Sequence, residues 1–183
     1  MTERRLRRAF YTRDALDVAP DLLNKVLVAG ACAGRIVEVE AYRPDDPASH
    51  SFRGRTPRNA TMFEPGGSLY VYFTYGMHFC ANVVTGPAGD GQAVLLRAVV
   101  PYRGIETMRA LRGARSDRIL TDGPGKLCQA FGIDRSHDGV DLVHSDELFI
   151  ADDGTPSPEG PLVGSRVGIR HGVERPWRWR VPR

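Results

Sequence analysis

Glu38 and Glu40 stand one residue apart in the run RIVEVEAY (35–42), with Tyr42 two positions further on. Strand alternation places Ile36, Glu38, Glu40 and Tyr42 on one side. Burying a carboxylate costs several kcal/mol unless something compensates. Two readings fit. The glutamates lie on a solvated face or pair with arginines, or one of them is a general base in a cleft that Tyr42 also lines. A second group of residues lies in LYVYFTYGMHF (69–79), where Tyr70 and Tyr72 share one strand face and Leu69, Val71, Phe73 and Tyr75 the other. Tyrosine suits strands, so packing alone accounts for most of them. Tyr75, however, precedes Gly76, where a turn or bulge would push its ring outward, and an exposed aromatic beside a basic surface can stack on bases or wedge between them.

Other polar residues carry weaker signals. His50 closes DDPASH; with Asp45 and Asp46 it matches no strong metal-ligand spacing, and a hydrogen-bonding role suits it better. Asn82 and Arg97 sit within apolar strands, so each is paired internally or points into a cavity. The glycines of GPGK (123–126) resemble a phosphate cradle only loosely and lack the full GxxxxGK[ST] pattern. No local signature marks a serine–histidine or cysteine–histidine pair.

These residues need a frame. The 183 residues are 42% hydrophobic and 26% charged, which fits one domain with a substantial core. RDALDVAPDLLNKVLV reads as a short helix running into a strand, with Pro20 interrupting the helical pattern. RIVEVEAY is the next strand, and the polar stretch from Arg43 to Phe63 is a long loop of the kind that carries function. SLYVYFTYGMHFCANVVTG and QAVLLRAVVP read as an antiparallel meander, GIETMRALRG and GPGKLCQAFGI as two short helices, and SRVGIRHGVERPWRWRVPR as one or two closing strands. The expected class is α+β: a single domain, residues 1–183, on a largely antiparallel curved sheet with short flanking helices. Residues 1–12 are expected to be a loosely ordered basic arm.

Net charge is +3 and the pI about 8.9, a mild pointer to an anionic partner. Lys25 and Lys126 are the only lysines; the arginines that supply the remaining charge pair well with phosphate, although arginine-rich codon usage gives the same count. Cys32, Cys80 and Cys128 are odd in number and far apart, which argues against a disulfide framework or zinc ribbon. The N-terminus lacks the apolar core of a secretory signal, and no apolar run approaches bilayer length. An intracellular, soluble protein is expected.

Taken together, DLLNKVLV, RIVEVEAYRPDDPASHSFRGRTPRNATMF, GSLYVYFTYGMHFCANVV, AVLLRAVVP and GPGKLCQAFGI, in this order over roughly residues 20–133, resemble the alkyladenine (3-methyladenine) DNA glycosylase family, the type without a helix-hairpin-helix. SRVGIRHG adds a weaker match. The resemblance implies a monofunctional base-excision enzyme that removes an alkylated purine, and within a wider range deaminated or etheno purines. It implies that Glu40 activates a water, and that Arg97 and the Val167 carbonyl help to position it. Tyr42 and Tyr72 would sandwich the flipped base, with His50 hydrogen-bonding to it and Asn82 crowding the exocyclic amino group of guanine. Tyr75 would wedge into the duplex, and Met77 beside it would also touch DNA. Arg55 and Lys126 are the candidate phosphate contacts. Glu38 keeps a structural reading. No metal, no cofactor and no Schiff-base lysine are expected; the expected partner is double-stranded DNA holding a damaged purine, bound by a monomer, in the cytoplasm or nucleoid if the source is prokaryotic.

Two rivals remain. Glu38 and Glu40 could be a glycoside hydrolase pair, but neighbours on one strand cannot readily flank opposite sides of a sugar bond. A non-catalytic reader of damaged or single-stranded DNA could use the same tyrosines, but it has little use for a buried carboxylate facing a polyanion.

Overall fold

The structure, a computed structural model, describes residues 3–113 and 116–182. In chain order the elements are β1 (Arg4–Arg5), α1 (Arg8–Tyr11), α2 (Ala15–Leu22), β2 (Val26–Ala29), β3 (Cys32–Tyr42), β4 (Leu69–Thr74), β5 (His78–Thr85), β6 (Gln92–Arg103), α3 (Ile105–Arg112), α4 (Pro124–Ala130), β7 (Leu148–Asp152), β8 (Leu162–Gly164) and β9 (Arg178–Arg180). The strands form one curled antiparallel sheet in the order β1-β7-β2-β3-β6-β5-β4, with β9 joining β3 to β8. The α+β expectation, the meander over β4, β5 and β6, and the two short helices α3 and α4 are all present.

One face of the sheet carries the main core, where Ile36, Val39, Ala41, Val71, Val83, Val94 and Leu96 pack with Leu22 of α2, Met108 of α3 and Leu127 of α4. Each fully buried Val, Leu, Ile or Met side chain among them stabilises the fold by roughly 1.5–3 kcal/mol relative to exposure. Asp14 caps α2 by accepting from the Leu16 N–H at 2.9 Å. Pro20 lies in the last turn of α2, which closes two residues later, so the proline ends the helix rather than preventing it.

Two expectations change. The basic arm is not loose from Arg4 onward: Arg4 and Arg5 pair with β7, and Tyr11 is fully buried. Residues 1 and 2 lie outside the described part. Simple alternation along RIVEVEAY also fails, because Ile36 joins the core with Val39 and Ala41 instead of facing the way of Glu40. The cause is irregular register against β6: Ile36 pairs with Val99 and Glu38 with Ala98, but Val39 pairs with Leu96. A bulge of this kind flips the side-chain parity of everything beyond it. It falls where β3 exchanges partners, since β2 pairs with Cys32–Arg35 and β9 takes over that edge at Glu38. No helix among the described residues is long and apolar enough to cross a membrane.

Candidate active site

The bulge in β3 turns Glu38, Glu40 and Tyr42 away from the main core and toward the C-terminal segment. Glu40 is fully buried, so its charge must be met from within. Its Oε1 accepts from the Val167 backbone N–H at 2.8 Å and lies 3.3 Å from Nη1 of Arg97; its Oε2 accepts from the Tyr42 hydroxyl at 2.9 Å. Arg97 comes from β6, and its Nε donates to Glu38 at 2.7 Å. Glu38 also accepts from Arg178 of β9 at 2.8 Å, which gives it the paired, structural role expected of it. Burial opposes the charge on Arg97, but Glu40 and Glu38 more than offset this and raise its pKa. Burial, and then the neighbouring Glu40 charge, push the Tyr42 phenol far above its ordinary range, so it remains a donor to that carboxylate.

The cavity in front of this cluster has a volume of about 370 Å³, within the range of pockets that enclose small ligands. Tyr42, His50, Tyr72, Tyr75, Asn82, Arg97 and Val167 all line it. Thus seven of the residues expected at the site, from four separate stretches of chain, share one space. Glu40 stands behind the wall, touching three of them. The cavity face of β4 is the one on which Tyr70 and Tyr72 were expected together. The His50 ring packs edge-on against Tyr72 at 4.5 Å between centroids, and its Nδ1 is hydrogen-bonded with the Tyr70 hydroxyl at 3.0 Å. Partial burial of that ring, and then the charge of Arg58, lower the pKa of His50 below 6.5, so it is neutral near pH 7. Asn82 is buried on β5, where its amide nitrogen donates to the Tyr70 carbonyl at 3.1 Å.

At the mouth stands the β4–β5 turn. The Met77 N–H bonds to the Thr74 carbonyl at 3.1 Å, and Tyr75 and Gly76 both have positive φ, at 52° and 65°. Left-handed backbone at both central positions matches the twist of a hairpin, and it throws the side chains outward. Tyr75 is 80% exposed and Met77 70%. Met77, Arg55 and Lys126 do not line the cavity; Arg55 sits 3.6 Å from Glu64, and Lys126 sits 2.9 Å from Asp122.

Gly168, Ile169, Arg170 and His171 also line the cavity and were not singled out from sequence, although they lie within SRVGIRHG. Their signal was only the adjacency to Val167. Behind them Arg166 and Asp46 form a buried ion pair with no sequence signature at all. A larger groove, about 780 Å³, lies beyond Glu38 between β3, β6 and the C-terminal residues. It gathers no comparable convergence of donors and aromatic rings. No cluster of three or more metal-ligating side chains occurs among the described residues.

A buried carboxylate held by two hydrogen bonds and an ion pair, set behind aromatic walls and a neutral histidine, can polarise a small nucleophile next to a flat ring system. The model of the methylpurine-DNA glycosylase family matches residues 9–183. A protein of Burkholderia lata, named as a candidate 3-methyladenine DNA glycosylase, is 58% identical over 181 residues, covering 97% of this chain and 87% of its own. Similarly named proteins of Carboxydothermus hydrogenoformans and Rhodopseudomonas palustris are 48% and 47% identical over 178 and 175 residues. These alignments cover 95% and 96% of this chain and 93% and 86% of theirs.

Proposed function

The chain belongs to the methylpurine-DNA glycosylase family, and from that premise we propose that it flips an alkylated purine out of duplex DNA and hydrolyses the N-glycosidic bond with a water activated by Glu40. The observation that carries this reading is the isolation of Glu40 behind the cavity, with each of its three partners also a cavity residue.

A base within a duplex offers no access to C1′, so extrusion must come first, at a few kcal/mol that a damaged base reduces. Tyr75 on its left-handed turn is placed to fill the gap, with Met77 beside it. The extruded ring enters between Tyr42 and Tyr72. N3- or N7-alkylated purines are cations, and an aromatic face favours a cation by roughly 0.5–2 kcal/mol. As the C1′–N bond breaks, its electron pair neutralises the departing base. The cationic sugar is met by the Glu40 carboxylate; water forms the new C1′–O bond and gives its proton to Glu40.

An ionised carboxylate offers about four lone-pair positions; two accept hydrogen bonds, from Val167 and Tyr42, and Arg97 adds its charge at 3.3 Å, which leaves acceptor capacity for a water. Because Glu40 is fully covered, admitting that water takes a small displacement of the Val167 segment or of Tyr42. Arg97 and the Val167 backbone flank the position. His50, neutral near pH 7, can donate to or accept from the edge of the base, and Asn82 limits which purines enter. Neutral deaminated or etheno purines need protonation or a firmer grip to leave, and His50 permits this wider range. Neither lysine lines the cavity, in keeping with a reaction without a lysine Schiff base, whose product is an abasic site in an unbroken strand.

Single-turnover reactions on duplexes bearing one alkylated purine or one hypoxanthine test this. Wild type is expected to release the base, with strand breaks only after hot alkali. Glu40→Gln is expected to bind the lesion yet lose release by ~10²–10⁴-fold, the usual contribution of a positioned general base. Tight lesion binding without release by either protein favours the reader of damaged DNA. Equal release by both removes Glu40 from the mechanism.

A further inference from the structure

Arg166 is a fully buried cation one residue before Val167, and three chain segments meet at its guanidinium. Nη1 donates to the Ala41 carbonyl of β3 at 3.1 Å and to Asp46; Nη2 donates to Asp46 Oδ1 at 3.0 Å and to the Gly172 carbonyl at 3.3 Å. The guanidinium carbon lies 4.7 Å from the ring centroid of Tyr42 and 5.2 Å from that of Trp177. Tyr42 lines the cavity and Arg166 does not, so the cation contacts the ring without itself reaching the cavity. Asp46, also fully buried, accepts from the Ala48 N–H at 3.1 Å and anchors the turn that leads to His50. Gly172 closes the arrangement: a Cβ there would come within 2.9 Å of Asp46 Oδ1 and 3.0 Å of Arg166 Nη2, and its φ of +64° suits glycine.

We propose that Arg166, with Asp46 as its counter-ion, is a positioning residue for the base-excision site, an inference that rests on the function proposed above. It fastens the strand bearing Glu40 and Tyr42, the loop bearing His50 and the segment bearing Val167 into one unit. It supports Tyr42 from behind while holding the Val167 N–H against Glu40. Stability alone gives no strong reason for such a pair, because a buried ion pair exchanged as a whole for apolar residues often leaves a fold as stable or more so. What apolar residues cannot reproduce is a planar fork that binds a carboxylate through two nitrogens and stacks on a ring at once.

The test is the combined variant Arg166→Met with Asp46→Leu, which leaves no orphaned charge, together with Arg166→Lys, which keeps the charge but not the fork. Thermal midpoint, affinity for undamaged duplex and the single-turnover rate of base release are measured beside wild type and Glu40→Gln. The combined variant is expected to fold and to bind undamaged DNA like wild type. Its release rate is expected to drop ~100-fold, the scale of a displacement of about 1 Å at a reacting centre. Arg166→Lys should fall between the two, and 2-aminopurine beside the lesion should report weaker extrusion in both. A folded variant releasing base at the wild-type rate overturns the proposal. If the combined variant does not fold, Arg166→Lys decides: slowed release with unchanged undamaged-DNA affinity supports it, and wild-type release overturns it. Failure of wild type itself to release base refutes the function on which the inference rests, and is read separately.

Discussion

At and behind the inner wall of the cavity Glu38, Glu40, Asp46, Arg97 and Arg166 are largely or fully buried and held in ion pairs among themselves, whereas at the hairpin tip Tyr75 and Met77 stand in solvent. The two regions lie at opposite ends of one site and answer to different physics. Inside, the cost of removing charge from water is offset by internal partners, so the geometry is set before any substrate arrives. Outside, large apolar side chains have no internal reason to be exposed, and they make sense as surface that a partner will cover. The wall is organised for chemistry, the tip for encounter.

The largest effect that would undo this contrast is loss of Arg97. Among the described residues it is the one side chain paired with both Glu38 and Glu40, and Arg97→Met would leave two carboxylates with reduced compensation. Removing one partner of a buried pair is destabilising by about 3–5 kcal/mol. The expected outcome is a large fall in the denaturation midpoint together with loss of base release. A variant that kept wild-type stability would mean that Arg178 and Val167 suffice to hold the glutamates, and that the wall is looser than its burial implies.

Much of this wall is legible in the residues themselves. Carboxylates and an arginine inside apolar strands demand partners, and the alternation of Tyr70 with Tyr72 places both on the cavity side. What alternation could not reveal is the bulge in β3, since a bulge depends on which strand lies opposite, and β3 changes partners at that point. Arg166 and Asp46 are hidden for a related reason. They lie 120 residues apart in the chain, and no local pattern joins them. The strand at Arg4–Arg5 was missed because two residues carry no periodicity, and their order comes from pairing with β7. The rim was the least readable part, because exposed arginines look alike whether or not DNA will lie on them.

The tip offers the next largest test. Tyr75 holds φ at 52°, and left-handed backbone costs a residue with a Cβ about 1–2 kcal/mol. Tyr75→Gly should therefore raise stability slightly in a denaturation series while weakening capture of damaged duplex by roughly 10-fold, since stacking on a base is worth ~1–3 kcal/mol. Stability and function moving in opposite directions would mark the exposed ring as retained for a partner. If both fell together, Tyr75 would instead belong to the fold, and the contrast between wall and tip would weaken.

His50 lies between the two regions and supplies a pH test. Burial and then Arg58 depress its pKa, so the folded state favours the neutral ring. Its contribution to stability is full above 6.5 and is lost as the pH falls through the lower folded value. A protonated His50 would also oppose a cationic base. Release of an alkylated purine should therefore hold steady from pH 8 to about 6.5 and decline only in more acid solution. Arg58→Gln removes one depressing charge and should move that acid limb to higher pH. His50→Gln should abolish this component of it.

The smallest expected effects are at Arg55 and Lys126, and their smallness is informative. Arg55 is exposed and Lys126 half-buried, and both sit in surface ion pairs, with Glu64 at 3.6 Å and with Asp122 at 2.9 Å. Exposed pairs of this kind contribute about 0–1 kcal/mol, so Arg55→Ala and Lys126→Ala should leave the denaturation midpoint nearly unchanged. If each side chain exchanges its carboxylate for a phosphate on binding, each substitution should reduce the slope of log affinity against log salt by about 0.9. Glu64 and Asp122 then act as competitors for the phosphate, so Glu64→Gln and Asp122→Asn should strengthen binding to undamaged duplex while leaving the single-turnover rate of base release alone. A slope unchanged by the alanine variants would place the DNA backbone elsewhere on the rim. In that case Arg170 and His171, which already line the cavity, would be the next positions to substitute.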